Sequence, residues 1–333
     1  MPSFLVSTEN IQQYFPTCRL TTFSSIPQNK SATLELSFLA YLRGRCRSLP
    51  QVHLGIGDDA AAIRGSDRLQ LSCTDQIIDG VDFISAKHDL ADVGYKAVAI
   101  NVSDIAAMGG DPRTALVTLT LPRTNATQTA GHVYEGILEA AAEYNLAIAG
   151  GDISTYEGPL AISVCMLGEV EENHLWRRSG AKEGDAILIT GPVGGSISGR
   201  HLRPKPRIPL VKTLRSLVSV TAAIDISDGL SLDLDRLCAA SGVGAELQTE
   251  CIPIHSDAVA ISETSGRSAF QHAWSDGEDF ELILTMSQAD ADLLRQEHSH
   301  LGLHQIGKTV GRTGLWKKHE RKLERLPPQG YMH

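Results

Sequence analysis

Residues 89–112 read DLADVGYKAVAINVSDIAAMGGDP, and this stretch predicts the central helix of the fold. Its apolar residues recur with the helical period, so we expect a helix that Asp89 caps and that Gly109 and Gly110 close. The apolar stripe comprises Leu90, Val93, Ala97 and Ile100. One further turn of that stripe reaches Asp104, which predicts a carboxylate on the inward face of the helix.

Strand patterns flank this helix on both sides. Alternation in RLQLSCTDQ (68–76) predicts a strand that ends at Asp75, and LAIAGGD (146–152) predicts one that ends at Asp152. The other elements of this half are two strands and two helices, predicted from TALVTLTLP (114–122), LAISVCMLGEV (160–170), LELSFLAYL (34–42) and GHVYEGILEAAAEYN (131–145). Together they predict an α/β (α+β) architecture.

A polar, glycine-containing segment, EENHLWRRSGAKEG (171–184), divides the chain. A length of 333 residues favours two domains, so we predict an extension over residues 1–31, an N-terminal domain over 32–171 and a C-terminal domain over 172–333. The C-terminal half is predicted to contain a strand running into a glycine-rich turn, a strand–helix unit and two later strands, at DAILITGPVGGS (185–196), AAIDISDGLSLDLDRLCAASG (222–242), FELILTM (280–286) and HQIGKTV (304–310).

Composition narrows the class of protein. A net charge of −9 disfavours nucleic acids and anionic membranes as partners, and any phosphate ligand would need local cations. The six cysteines contain no C-x-x-C pair, which argues against a zinc site and a disulfide framework and favours a cytoplasmic location. We find neither a signal peptide nor a membrane-spanning run, so we expect no membrane association.

Acidic residues recur beside glycine at the ends of predicted elements. They are Asp58, Asp59, Asp75, Asp104, Asp152, Asp225, Asp228, Glu278 and Asp279. One such residue alone is usually a turn or a helix cap. Their recurrence instead predicts an oxygen-ligand Mg²⁺ site, with glycines that admit phosphate close to the backbone. No P-loop, kinase catalytic-loop or dinucleotide fingerprint occurs in the chain.

Eight motifs occur along the chain in this order: GIGDDAA, CTDQ, YKAVAINVSDIAAMGGDP, GGD, RRSGAKEGD, RHLRPKPRI, AIDISDGL and DGEDFEL. Together they resemble the bacterial thiamine-monophosphate kinase family of the aminoimidazole-ribonucleotide-synthetase-like superfamily, and the resemblance covers roughly residues 34 to 331. It implies a two-domain fold whose N-terminal sheet pairs with its copy in a homodimer to form a barrel. It also implies an ATP-dependent phosphotransferase, with thiamine monophosphate as the phosphate acceptor and several Mg²⁺ ions, that transfers the phosphoryl group in line.

The resemblance also implies roles for individual residues. The metal ligands would be Asp59, Thr74, Asp75, Asp104, Asp152, Asp225 and Asp228. ATP would be bound by Gly151, Asp152, Arg178 and Ser227, and Arg178 is a natural partner for phosphate oxygens. Asp82, Glu278 and Tyr331 would contact thiamine monophosphate. No side chain is expected to act as a catalytic acid or base, because metal ions and positioning would carry the transfer.

Three features depart from the family pattern. Asp82 in GVDF stands where a histidine is usual, the helical insert before Arg200 is almost absent, and residues 1–31 have no counterpart. Two alternatives therefore stay open: a nucleotide-binding member of the superfamily without kinase activity, and a related ATP-dependent synthetase. The C-terminal PPQGYMH lacks the cysteine that the hydrogenase maturation member needs.

Overall fold

The computed structural model describes residues 34–47, 49–56, 60–319 and 322–332. The helices are α1 (Leu34–Arg45), α2 (Leu90–Ala107), α3 (Ala126–Glu143), α4 (Ile208–Leu217), α5 (Leu230–Ser241), α6 (Ser256–Ser265), α7 (Ala269–Ser275) and α8 (Gln288–Glu297). The strands are β1 (Val52–Leu54), β2 (Ala62–Ile63), β3 (Leu69–Ile78), β4 (Asp111–Pro122), β5 (Ala147–Tyr156), β6 (Ala161–Val170), β7 (Ala186–Ile189), β8 (Val220–Asp225), β9 (Gly244–Leu247), β10 (Leu282–Met286), β11 (His304–Val310), β12 (Gly314–His319) and β13 (Lys322–Leu326).

Two mixed sheets organise these elements, which confirms the α/β (α+β) prediction. A four-stranded sheet has the order β3-β6-β4-β5, in which only β4 and β5 pair in parallel. A seven-stranded sheet has the order β13-β12-β9-β11-β7-β10-β8, and β1 pairs with β2 separately. Helix α2 packs against β3 and β6 of the first sheet and β8 of the second. The helix therefore stands between the two sheets.

Helix α2 begins and ends as the sequence predicts. The Asp89 carboxylate accepts from the Ala91 N–H at 2.8 Å, and Gly109 continues the chain with a φ of 72°. The prediction of one apolar stripe was too narrow, because the helix is buried on nearly every side between the sheets. Helix α3 crosses it at glycines: a Cβ at Gly136 would lie 1.6 Å from the Ala91 carbonyl oxygen.

Two predicted strand ends were wrong. Strand β3 continues past Asp75 to Ile78, because its ladder with β6 runs on to Ala161. Strand β5 likewise continues past Asp152 to Tyr156, paired with β4. The glycines before Asp152 permit close pairing rather than ending the strand, since a Cβ at Gly151 would lie 1.8 Å from the Val117 carbonyl oxygen.

The core follows this layering. A large hydrophobic cluster joins α2, α3 and the four-stranded sheet to one face of the seven-stranded sheet, where Leu188 and Leu284 lie. A second cluster covers the opposite face of that sheet, where Ile189 packs with Leu234 of α5. The open face of the four-stranded sheet carries Leu116, which is 36% exposed. Among the described residues, no helix has the length and apolar character needed to cross a membrane.

Candidate active site

The C-terminal half of α2 places one acidic residue, Asp104, close to β3 and β8. The Ser103 hydroxyl donates to the Asp225 carboxylate at 2.7 Å, which fixes the end of β8 against the helix. Asp104, one residue further along α2, shares a cleft of about 470 Å³ with Cys73, Arg178 and Asp225. Three carboxylates from separate parts of the sequence, those of Asp75, Asp104 and Asp225, therefore lie close enough to affect one another.

The pKa values of these three carboxyl groups are raised. Burial, the charge of Asp225 and that of Asp75 raise the pKa of Asp104 to about 8. Burial raises the pKa of Asp225 to about 6, against the hydrogen bond from Ser103, which lowers it. Burial also raises the pKa of Asp75, although its hydrogen bond with Asp104 opposes the shift. The folded protein therefore holds three carboxylates whose negative forms are disfavoured, a condition that a bound cation would relieve.

The donor set fits a hard divalent cation bound together with a ligand. Carboxylate oxygens suit Mg²⁺, which typically uses one or two protein carboxylates, several waters and substrate phosphates. Within the described ranges, no three acidic, histidine or cysteine side chains form a ready-made metal cage. Asp59, also predicted as a ligand, lies outside the described residues, as does its neighbour Asp58. Arg178 adds a positive side chain to the same cleft.

The segments DISDG (225–229) and DGEDFEL (276–282) are joined by backbone hydrogen bonds. The Glu278 N–H donates to the Ser227 carbonyl at 2.7 Å, and the Phe280 N–H donates to the Ile226 carbonyl at 2.9 Å. Glu278 and Phe280 both have a φ of 52°, in the left-handed region that side chains rarely adopt. Such strain is retained where surrounding contacts hold it, and it is concentrated at functional sites.

Glu278 meets a buried cation that the sequence reasoning missed. Lys96 of α2 is 1% exposed, and its ammonium donates to the Glu278 carboxylate at 2.5 Å and to the Asp82 carbonyl at 3.0 Å. Asp82 and Glu278, both predicted substrate contacts, are therefore brought together through this lysine. The Asp82 carboxylate itself accepts from the Ile78 N–H at 2.7 Å. The available signal was a lysine inside the apolar run YKAVAI (95–100).

Tyr331 also reaches this region. Its N–H donates to the Asp228 carbonyl at 2.9 Å, which places the C-terminal segment beside DISDG. The Asp228 carboxylate forms an ion pair with Arg236 at 2.5 Å. Asp228 is therefore engaged by an arginine, whereas Asp75, Asp104 and Asp225 face one another.

The remaining predicted ligands lie elsewhere on the four-stranded sheet. Thr74 and Asp152 line a larger cavity of about 920 Å³ on its open face. They belong to the opposite edge strands, β3 and β5. Three strand spacings of about 4.8 Å give a separation of roughly 14 Å between those edges. Within one chain, Asp152 and the adjacent Gly151 are therefore not brought to the cleft of Asp104.

Comparison with known proteins identifies the class of this fold and site. The family model described as "AIR synthase related protein, N-terminal domain" matches residues 57–170, the part that carries α2 and the four-stranded sheet. The chain is 57% identical over 309 residues to a thiamine-monophosphate kinase of Rhodopirellula baltica, covering 90% of this chain and 97% of that protein. The Bacillus subtilis thiamine-monophosphate kinase is 34% identical, with coverages of 85% and 94%. The chain belongs to the thiamine-monophosphate kinase family.

Solved structures agree with this assignment. The structure of AaThiL complexed with AMPPCP and TMP is 31% identical, has a TM-score of 0.69 and covers 81% of this chain and 91% of that one. Escherichia coli HypE, a hydrogenase maturation protein, has a TM-score of 0.73 at 20% identity, over 90% of this chain and 99% of its own. The HypE likeness shows the shared fold alone.

Proposed function

We propose that this protein is a thiamine-monophosphate kinase, which transfers the γ-phosphate of ATP to thiamine monophosphate and releases ADP and thiamine diphosphate. One juxtaposition supports this activity most directly: the carboxylates of Asp75, Asp104 and Asp225 lie close to one another, and Arg178 lines the cleft that contains Asp104 and Asp225. Such a cleft is suited to a phosphate chain accompanied by cations. The acceptor is itself a phosphate, so the reaction needs little general-base catalysis.

The metal would be Mg²⁺, and its proposed ligands include Asp75, Asp104 and Asp225. When bound, it would neutralise phosphate charge and polarise the transferred group. The chain's own residues would then position the reactants: Ser103 holds Asp225, and Arg178 supplies a fixed positive charge. The further proposed metal ligands are Asp59, Thr74, Asp152 and Asp228.

The nucleotide and acceptor would bind on either side of the segment DISDG (225–229). Gly151, Asp152, Arg178 and Ser227 are the proposed ATP contacts. Glu278, Asp82 and Tyr331 are the proposed contacts of thiamine monophosphate. The backbone bond between Glu278 and Ser227 supports this division, because it sets the two proposed groups side by side.

A homodimer would explain the position of Asp152. We infer that the open face of the four-stranded sheet packs against its copy, completing the barrel and bringing Asp152 of the partner subunit to the cleft of Asp104. The separation of roughly 14 Å between the sheet edges within one chain supports this arrangement. The proposed domains remain 32–171 and 172–333, after an extension over residues 1–31.

Mixing two inactive variants tests this dimer. Asp104→Asn and Asp152→Asn proteins would be unfolded and refolded together. If each site takes the two residues from different subunits, about a quarter of wild-type activity should return, since half of the dimers are mixed and each has one intact site. If both residues act within one subunit, no activity should return.

We also propose that the protein is located in the cytoplasm. The cysteines within the described ranges, Cys46, Cys73, Cys165, Cys238 and Cys251, are all unpaired thiols, which fits a reducing compartment. Thiol titration of protein isolated under non-reducing conditions checks it. Free thiols are expected, and stable intramolecular disulfides would contradict it.

Identification of the products tests the activity. We expect ³¹P NMR of a reaction with ATP, Mg²⁺ and thiamine monophosphate to show ADP and thiamine diphosphate appearing in equal amounts. Equal amounts of ADP and inorganic phosphate would instead indicate ATP hydrolysis. ATP binding without either product would support the alternative of a nucleotide-binding protein.

A further inference from the structure

Lys96 is an unusual residue for the middle of a buried helix. Its side chain is 1% exposed, and α2 around it packs Tyr95, Ala97 and Val98 into the core. Burying an ammonium is unfavourable unless close partners compensate its charge, and an apolar side chain of similar length would avoid that cost. The burial of Lys96 therefore depends on the groups that compensate its charge.

The two partners of Lys96 come from segments far apart in the sequence. The Asp82 carbonyl belongs to the turn that follows β3, whereas Glu278 belongs to the loop between α7 and β10. Each backbone is held by other bonds: the Asp82 N–H donates to the Ile78 carbonyl at 3.0 Å, and the Glu278 N–H donates to the Ser227 carbonyl at 2.7 Å. Lys96 therefore orients the Glu278 carboxylate and links the two segments.

The Glu278 side chain is placed to act on a ligand. Lys96 holds its carboxylate, and the side chain as a whole is 32% exposed and so partly open to solvent. Its backbone is fixed in the left-handed region, which limits the directions the side chain can take. A partly exposed carboxylate on a flexible stem would otherwise lose this orientation in water.

Helix α2 connects this contact to the acidic cleft. Asp104 follows Lys96 by eight positions, which corresponds to about 12 Å along a helix. Helix α2 therefore carries both Asp104 and Lys96, the residue that holds Glu278. Its length fixes the separation between the acidic cleft and the Glu278 carboxylate.

His201, a basic residue close to Lys96 and Glu278, does not compete with Lys96 for the Glu278 carboxylate. Burial, followed by the positive charge of Lys96, lowers the pKa of His201, so its ring is neutral at physiological pH. The His201 ring packs edge-on against His88, with 5.7 Å between centroids, and its Nδ1 faces the Ser196 carbonyl at 3.0 Å. Lys96 is therefore the cation that orients Glu278.

We propose that Lys96 is a positioning residue that sets acceptor affinity by holding Glu278 and the turn at Asp82 in one arrangement, without contacting ATP. This inference rests on the proposed function, in which Glu278 contacts the thiamine part of the acceptor. It assigns the selectivity for thiamine monophosphate to the partly buried ion pair between Lys96 of α2 and Glu278 of the loop of residues 277–281.

The test compares Lys96→Met, which keeps the length and removes the charge, with Lys96→Arg, which keeps the charge. We expect Lys96→Met to raise the KM for thiamine monophosphate about tenfold or more, since a hydrogen bond to a charged group is lost, while the KM for ATP changes less than about twofold. Lys96→Arg should recover part of the loss. Lys308→Met is the matched control, because Lys308 forms an exposed ion pair with Glu246 at 3.9 Å.

A double-mutant cycle with Glu278→Gln separates positioning from general damage. If Lys96 acts through Glu278, Lys96→Met should have little further effect on acceptor KM in the Glu278→Gln background. Should Lys96→Met prove too unstable to purify, Lys96→Gln, which also removes the charge, gives the same cycle in both backgrounds. Equal rises in both KM values, additive effects in the cycle, or an unchanged or lowered acceptor KM would overturn the inference.

Direct titration of thiamine monophosphate binding separates this inference from the proposed function. Wild-type turnover with unaltered acceptor binding by Lys96→Met would reject the role of Lys96 and leave the kinase assignment standing. A wild-type protein that neither binds nor phosphorylates thiamine monophosphate would reject both. Turnover by wild type together with selectively weakened acceptor binding by Lys96→Met would support both.

Discussion

Replacing Asp104 with asparagine should abolish turnover and yet stabilise the metal-free protein. Asparagine keeps the shape of the side chain and removes a charge that burial and two neighbouring carboxylates disfavour. Turnover should be lost because a proposed metal ligand is removed. A loss of activity together with a gain in stability is the combination expected where a functional site holds buried like charges.

The magnitude follows from the pKa of Asp104, which is raised from 3.8 to about 8. A difference of about four pKa units, at 1.36 kcal/mol each, sets an upper limit of about 6 kcal/mol on the cost of ionising Asp104 in the folded state. Asp75 and Asp225 share this cost and remain in the variant. We therefore expect asparagine to raise the free energy of unfolding by about 2 kcal/mol at about pH 8.5.

The sign of the pH dependence is fixed by the direction of the shift. The pKa of Asp104 is higher in the folded than in the unfolded protein, so the folded state retains a proton that the unfolded state has lost. Wild-type stability should therefore fall as pH rises from about 4 to about 8. The advantage of Asp104→Asn should be larger at about pH 8.5 than at about pH 5.5.

Urea denaturation in a metal-chelating buffer at both pH values measures this effect, and ADP release measures turnover. Asp67→Asn is the matched control, because Asp67 is exposed in the turn before β3. A variant that is no more stable than wild type at either pH would refute the electrostatic reasoning. Wild-type turnover by the variant at limiting Mg²⁺ would refute the metal role.

Three further predictions follow from the same structure. The Mg²⁺ concentration for half-maximal activity should fall as pH rises from about 6.5 to about 8.5. The reason is that Asp104 and Asp225, with pKa values of about 8 and about 6, must lose protons to bind the metal. Activity titrations with Mg²⁺ at fixed ATP measure this concentration, and a value that does not change with pH would contradict the prediction. Gly136→Ala should lower the free energy of unfolding, measured by thermal denaturation, by about 3 kcal/mol or more, because its Cβ would lie 1.6 Å from the Ala91 carbonyl oxygen. The control Gly65→Ala should have almost no effect, because the space around Gly65 is open. Arg207→Met should lower the free energy of unfolding, measured by urea denaturation, by about 3 kcal/mol, because it leaves Glu281 buried without its ion pair. Adding Glu281→Gln should recover part of that loss. No recovery would mean that the loss comes from packing and not from the unpaired charge.

The central helix was predictable because its signals are local. A carboxylate cap at Asp89, helical periodicity and closing glycines each act within a few residues, and they define α2. The inward position of Asp104 followed from the same periodicity. Its approach to Asp75 and Asp225 was implied only by the family resemblance, since the three residues lie on different elements.

Other features depend on contacts that no local pattern reveals. Strand β3 passes Asp75 because β6 continues beside it, and an aspartate next to a polar residue resembles a strand end in the sequence. Lys96 and Glu278 are 182 positions apart, so their ion pair is a property of tertiary packing. The position of Asp152 on a different sheet edge is equally invisible to a motif, because the motif fixes residue types and not distances.

The basic segment RHLRPKPR (200–207) shows the same limit. The sequence marks it as a family motif, but its partners come from both halves of the chain. Arg203 pairs with Asp92 of α2 at 2.5 Å, whereas Arg200 pairs with Asp279 at 3.0 Å. The segment therefore ties α2 to the loop that carries Glu278.

The most direct test of the account is Mg²⁺-dependent ADP release by wild-type protein and Asp104→Asn, with and without thiamine monophosphate. Wild type should release ADP rapidly only when thiamine monophosphate is present, and the variant should release none above background. Tight ATP binding with no acceptor-dependent release by wild type would contradict the assignment as a kinase.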